Sequence, residues 1–314
     1  NTLNRRYALL TAAQKAAYPV PYPGFNTDNN LERSLRPFPQ YNTINTTNGG
    51  GDHSGHSSYH SLLVKLTRNY YKGLLIDASY VLSKAFTDAE TTWGGAAAID
   101  HFNRRLEKAV SMSDRTHELK INWIGELPFG RGRRFVKTGL LSRALGGWRV
   151  GSVHSYMSGT PLGLAGAFNF PIVGERPYIE TYDGWRAPIE GKKFDPFVDR
   201  FVKPSSRWTT NAATGEVTVT QQGFFPVQPN YRWGNMTRNN PKLRGFPRYN
   251  ENVSLAKSFP LAERRRVEFR AEGFNLLNRT VFASPNMTLG DNLGLVRNQA
   301  NKARQMQFAL KLYW

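Results

Sequence analysis

The chain contains no cysteine in 314 residues, which excludes a disulfide-stapled scaffold, a zinc ribbon, a thiol nucleophile and a cysteine-held iron–sulfur centre. It also lacks a long apolar run. The longest uncharged stretch, Val150 to Gly174, is interrupted by Gly, Pro, Ser, His and Asn, so no spanning helix is available. Acidic residues are scarce: 23 Asp+Glu stand against 42 Lys+Arg, a formal charge of +19. The text has no P-loop, no Gly-x-Ser-x-Gly, no His-Glu-x-x-His and no dinucleotide fingerprint, so an enzyme is not expected and no cofactor is implied. No initiator Met or charged-then-apolar leader opens the chain at Asn1, which is read as an internal position.

What the chain does contain is aromatic residues, 13% of the total, within a modest 39% hydrophobic content. Residues 1–37, with Pro19, Pro21, Pro23 and the string Asn26-Thr27-Asp28-Asn29-Asn30, show no sustained period and read as an irregular connecting segment. From residue 38 onward the period is two, the signature of strands. In Met306 to Trp314 every even position is apolar. In Arg266 to Gly273 the even positions form a charge ladder behind apolar or small odd ones. Leu62, Val64 and Leu66 alternate in the same way, as do Leu74 to Leu82 and Leu119 to Trp123, with fainter alternation over 39–47, 147–157 and 248–258. About eight strands of roughly ten residues are expected.

The connections sort by length. Short ones are expected near 70–73, 128–146 and 259–265, and long ones near 85–114, 158–247 and 278–302. Successive connections of antiparallel strands fall at opposite ends of a sheet, so the short turns gather at one end and the long loops at the other. That asymmetry is the mark of an outer-membrane barrel. A soluble antiparallel sheet with one packed face gives the same alternation but seldom segregates its loops. A loop of some ninety residues is foreign to a compact soluble domain.

Several stretches resemble a known family. Ser61-Leu62-Leu63-Val64-Lys65-Leu66, Tyr71-Lys72-Gly73-Leu74 and Ser79-Tyr80-Val81-Leu82-Ser83-Lys84-Ala85 are similar to the strand-turn-strand text of TonB-dependent receptors, in particular the Oar-like group with an N-terminal carboxypeptidase-regulatory-like domain. Glu126-Leu127-Pro128-Phe129-Gly130-Arg131-Gly132, Leu145-Gly146-Gly147-Trp148, Ser158-Gly159-Thr160-Pro161-Leu162 and the run from Phe269 to Asn278 match the same text. The resemblance runs from about Leu35 to the end and implies a plugged barrel of about 22 strands. With no plug, coupling box or regulatory-like domain, residues 38–314 are then the C-terminal part of that barrel, an all-β antiparallel transmembrane segment. The implied partners are outer-membrane lipid, the barrel assembly machinery, an external substrate, and a plug and TonB energy-coupling complex reached through the missing N-terminal part. The implied location is the outer membrane, with a periplasmic C-terminus. The rival readings are a small self-contained barrel acting as pore or adhesin, and a secreted soluble β protein that binds a ligand.

Candidate site residues follow. Phe308, Leu310, Leu312 and Trp314 resemble the terminal signal read by the assembly machinery, and equally form a plain lipid-facing strand. Arg266, Glu268, Arg270 and Glu272 are lumen-facing candidates, with mutual neutralisation as the simpler role. The long loop carries Phe168, Phe170, Tyr178, Tyr182 and Trp185, together with Phe194 and Phe197; these rings could hold a sugar or peptide, or pack on one another. His53, His56 and His60 have a spacing that could present nitrogens to a metal, though a polar hairpin tip explains them as well. Gly130-Arg131-Gly132-Arg133-Arg134 is the strongest basic cluster, but no nucleic-acid-binding signature accompanies it; in the resembled family it is a periplasmic turn, where basic residues meet anionic headgroups.

Overall fold

The structure, a computed structural model, describes residues 3, 5–42, 55–89, 103–166, 176–191, 193–210, 217–227, 234–261 and 265–314. The connecting segment is more regular than its Pro- and Asn-rich text suggests. It holds helix α1 (Ala12–Ala17), opened by a capping box between Thr11 and Gln14, and a single turn α2 (Leu31–Ser34). Tyr7, Leu10, Phe25 and Leu31 bury themselves between these elements as a small apolar cluster.

The strands follow in order: β1 (Ser57–Tyr71), β2 (Leu74–Thr87), β3 (Ala109–Val110) and β4 (His117–Glu126), then helix α3 (Gly139–Leu145). Next come β5 (Trp148–Met157), β6 (Pro161–Leu162), β7 (Arg207–Thr210), β8 (Val217–Gln221) and β9 (Asn240–Arg244). The last three are β10 (Arg248–Pro260), β11 (Arg266–Phe274) and β12 (Gln305–Tyr313). The main sheet runs β1-β2-β4-β5-β10-β11-β12, with β3 attached to the far end of β2. Every neighbouring pair is antiparallel. Seven long strands therefore replace the eight expected: residues 39–42 form no strand, and 43–47 lie outside the described residues. Separate short pairs β6–β9 and β7–β8 sit within the long connection between β5 and β10.

Opposed residues of antiparallel strands share a face, so the registers assign two faces. Leu62, Val64 and Leu66 of β1 line up with Ile76, Ala78 and Tyr80 of β2 and with Leu119, Ile121 and Trp123 of β4. The same face continues through Val150, then Val253 and Leu255, then Val267, Phe269 and Ala271, and ends on Phe308, Leu310 and Leu312. The opposite face carries Lys65, Asp77, Ser79, Lys120, Asn122, Arg149 and Asn252, and ends on the ladder of β11 against Gln307 and Lys311. One face is mainly apolar, interrupted by Arg68, Lys84, His154, Glu251 and Lys257, and the other is mainly polar.

The ends differ as sharply as the faces. β1 turns into β2 through Lys72 and Gly73, both at positive φ (52° and 80°), the two-residue geometry whose twist matches a hairpin. At the same end lie residues 127–147 and 261–265, whereas 88–116, 158–247 and 275–304 all leave from the other. In the 127–147 turn, Gly130 packs its Cα against Gly146. A Cβ at Gly130 would stand 2.7 Å from that Cα, so no side chain fits there.

The sheet is open as described. β1 pairs only with β2 and β12 only with β11, and both edge strands are exposed along nearly their whole length. Seven alternating strands make β1 and β12 run in the same direction. Because Ile121 is central on the apolar face and Asn122 beside it faces the ionic side, Ile121→Lys should lower the denaturant-unfolding free energy in lipid by about 2–4 kcal/mol. Asn122→Lys, opposite Asp77, should change it by less than about 1 kcal/mol.

Candidate functional site

Most of the buried hydrophobic core lies in the connections, not under the sheet. Leu162, Trp185, Phe201, Phe225, Met236 and Leu243 of the 158–247 connection pack with Leu293 and Val296 of the 275–304 connection. Trp185 meets the Phe225 ring edge-on at 5.0 Å, and Phe201 meets Phe246 at 4.6 Å. The two connections also exchange backbone hydrogen bonds. The Phe201 N–H donates to the Gly294 carbonyl at 2.8 Å, Ala165 donates to Met287 at 3.0 Å, and Leu289 donates back to Ala165 at 2.9 Å.

Arginines bind the 88–116 connection to this unit. Glu107 is buried, and its Oε2 accepts from Arg176 Nη2 at 2.5 Å. Arg238 Nη2 donates to the Glu107 carbonyl at 2.6 Å and to the Thr87 carbonyl at 2.8 Å. Burial pushes the Arg176 guanidinium below its ordinary pKa, and the Glu107 charge opposes that shift. A second staple joins Arg244 to the fully buried Asp114 carboxylate, with further donation to the Asp114 and Gly159 carbonyls at 3.1 and 3.0 Å. Arg186 lies 3.8 Å over the Phe201 ring and donates to the Arg244 carbonyl at 2.8 Å. Three connections far apart in sequence thus form one packed, arginine-stitched body at the loop end of the sheet.

Two of the larger clefts among the described residues lie at this end. One, of about 390 Å³, is lined by Phe197, Phe282, Val296, Arg297, Asn298 and Gln299. Phe197 is 97% exposed there. The other, of about 460 Å³, is lined by His56, Asp88, Arg104, Arg105 and Lys108 beside the ends of β1 and β2. Asp88 Oδ1 accepts from the His56 N–H at 2.5 Å and stands 3.7 Å from Arg104. Burial by itself would raise the Asp88 pKa; the His56 N–H and the Arg104 charge overcome this and hold it below the usual carboxylate range. The first cleft offers an open aromatic ring beside amides, the second a mostly cationic wall.

The sequence-predicted residues fare unequally. Tyr182 and Trp185 are not open ligand contacts. Trp185 is 2% exposed, Tyr182 stacks on it, and their polar ends are used within the body, Tyr182 on Thr237 and Trp185 on the Thr181 carbonyl. Tyr178 is half-buried in the same body, and Phe168 and Phe170 lie outside the described residues. His56 faces Asp88 at 3.4 Å, and His60 stands opposite Lys84 in the β1–β2 register, so the two do not converge; His53 lies outside the described residues. Arg266, Glu268, Arg270 and Glu272 share the ionic face. Arg270 bonds Glu268 at 2.9 Å, Glu272 bonds Gln307, and Arg266 sits 4.4 Å over the Tyr313 ring. Phe308, Leu310, Leu312 and Trp314 are brought together, open, along the edge strand β12.

One constellation escapes sequence reading. On the apolar face, His154 Nε2 lies 2.8 Å from Ser152 Oγ and 3.3 Å from Trp123 Nε1, and the buried Glu251 stands opposite His154. Indole N–H only donates, so Nε2 is an acceptor and Nδ1 carries the hydrogen toward the Tyr156 hydroxyl, 3.3 Å away. Glu251 pairs instead with Arg279 at 2.9 Å. Tyr156, which also meets Glu251, stands between the imidazole and that carboxylate, so the group is a hydrogen-bonded ladder across the strands. Only the cross-strand register reveals it.

Replacing Glu107 with Ala removes the buried carboxylate that pairs with the buried Arg176, at a cost of about 3–5 kcal/mol to the loop body. Limited proteolysis should then cut within 158–247 while the sheet keeps its heat-resistant mobility on gels. For Asp88 the folded pKa lies below the unfolded value of about 3.9. Its contribution is therefore complete above that value and is lost as pH falls through the folded pKa. Amide exchange at His56 should accelerate on acidification below about pH 4, and Asp88→Asn should remove that dependence.

Residues 6–307 match the family described as an outer membrane beta barrel domain, so the chain belongs to that family. No curated protein and no solved structure matches it.

Proposed function

We propose that this outer-membrane barrel protein is the C-terminal wall and external cap of a larger TonB-dependent receptor, binding a substrate through its loop body without covalent chemistry. The observation that carries this reading is strand parity. Among the described residues, seven long strands leave β1 and β12 parallel and unpaired, and an edge facing hydrocarbon costs several kcal/mol for each unpaired backbone group. Bacterial single-chain barrels close with an even number of antiparallel strands, so this sheet needs an odd number of further strands. A barrel of about 22 strands provides them.

In that barrel the hydrocarbon face meets lipid and the Arg266–Glu272 ladder lines the interior, against water or a plug. The tight-turn end is periplasmic, which puts the C-terminus in the periplasm and the loop body outside the cell. Phe308, Leu310, Leu312 and Trp314 serve both as lipid contact and as the edge presented to the assembly machinery, since an open strand is a template for strand addition. Substrate contact falls first to the cleft around Phe197, where an exposed ring adjoins Asn298 and Gln299, a pairing suited to a sugar or peptide.

The test is the intact mass of the native gene product, extracted by detergent from outer-membrane fractions and identified by peptides of this sequence. A mass far above 35.5 kDa, with a plug and coupling box upstream, is the expected result. A mass near 35.5 kDa would refute the receptor reading and leave a small barrel closed by strands outside those described.

A further inference from the structure

The turn between β4 and β5 is the one connection at the tight-turn end that carries a helix. From Leu127 to Gly147 it contains no acidic residue, and five basic ones: Arg131, Arg133, Arg134, Lys137 and Arg143. Arg133 is paired with Glu126. Among the described residues, no acidic partner meets the other four. Beside them, Leu140 is 82% exposed and Leu141 66%, so α3 turns its leucines outward and buries only Ser142. A helix that exposes leucine next to unpaired arginine has its polarity arranged for an interface between water and hydrocarbon.

The anchoring of α3 shows which interface. Lys257 Nζ donates to the carbonyls of Arg143 and Ala144 at 2.5 and 2.8 Å, capping the helix C-terminus. Trp148 Nε1 donates to the Ala144 carbonyl at 2.9 Å. Lys257 and Trp148 are directly opposed in the β10–β5 register and belong to the hydrocarbon face, where Trp148 also meets Phe269 edge-on at 6.1 Å. The helix is therefore fastened to the lipid side of the wall, not to its interior. The Lys257 ammonium that caps the helix lies 5.4 Å from the Trp148 ring and 5.0 Å from the Phe259 ring, aromatic company of the kind that girdles supply at the headgroup layer.

We infer that α3 and its flanking turn form an interfacial anchor that binds anionic phospholipid of the leaflet at the tight-turn end, the leucines entering the acyl boundary and Arg131, Arg134, Lys137 and Arg143 taking headgroup phosphates. The assignment to the periplasmic leaflet rests on the orientation proposed above; the lipid contact itself does not. Continuity with the hydrocarbon face and the wholly cationic charge select a lipid surface over an acidic protein.

The chain has no cysteine of its own, so a polarity-sensitive fluorophore can be placed at Leu140→Cys, or at Leu141→Cys should the first variant not assemble, in the native membrane-embedded protein. In phosphatidylcholine vesicles containing phosphatidylglycerol, the emission should shift to the blue and be quenched by brominated phosphatidylglycerol. Both signals should fall at raised salt. They should also fall when Arg131, Arg134, Lys137 and Arg143 are changed together to Gln, since each charge near an anionic surface contributes a factor of roughly five. Emission of a water-exposed dye in the phosphatidylglycerol-containing vesicles would overturn the anchor. So would protection seen in whole envelopes but absent from protein-free vesicles, which would indicate a protein partner. Reaction of Leu140→Cys with an impermeant maleimide on intact cells would instead overturn the orientation, leaving the vesicle result to decide the lipid contact.

Discussion

The structure depends on one constraint: in hydrocarbon a backbone N–H or C=O finds no partner except another strand. That requirement makes the spanning part a sheet of consecutive antiparallel neighbours and forces side chains to alternate between lipid and water. It also makes the two unpaired edges of β1 and β12 the least stable feature of the sheet as described. A one-residue register slip would carry the Arg266–Glu272 ladder onto the apolar face. The exceptions on the apolar face confirm the rule by how they are satisfied. His154 finds Ser152, Trp123 and Tyr156, Glu251 finds Arg279, and Lys257 finds the end of a helix.

Freed from stabilising a core beneath the sheet, the hydrophobic residues of the loops make a core of their own. Trp185, Phe201, Met236 and Leu293 are buried as completely as the interior of a soluble domain. Part of the arginine excess holds the 88–116 connection to that core: Arg176 and Arg238 on Glu107, Arg244 on Asp114. Such buried pairs give little net stability, since desolvation offsets attraction, but they fix which loop meets which. The loop body is held in a defined arrangement at the loop end of the sheet, with the exposed Phe197 ring lining one of its clefts.

The strands were legible because a period of two leaves its mark on every second residue. β11 and β12 can be read almost to their ends, and the sorting of short and long connections followed from chain direction alone. The loops were not legible. Glu107 and Arg176 are separated by 69 positions, and neither stands in a motif; only their burial together identifies them. Tyr182 and Trp185 looked like ligand contacts because exposed and buried aromatics are identical in a sequence without period. Phe197, with the same lettering, is the ring left open. The connecting segment was underestimated for a related reason, since a helix as short as α1 offers too few turns for its period to show against Pro and Asn.

Sequence by itself determined the class of solution: strands of alternating polarity, an all-antiparallel order, and tight turns opposed to long loops. These are local properties, written in neighbouring residues. Tertiary structure alone decided which long-range partners meet: that the seven long strands among the described residues leave parallel edges, that two loops share one core to which a third is stapled, that Glu251 pairs with Arg279, and that α3 is fastened to Trp148 and Lys257 of the apolar face. Those outcomes depend on registers and burial between residues far apart in the chain, and no local pattern encodes them.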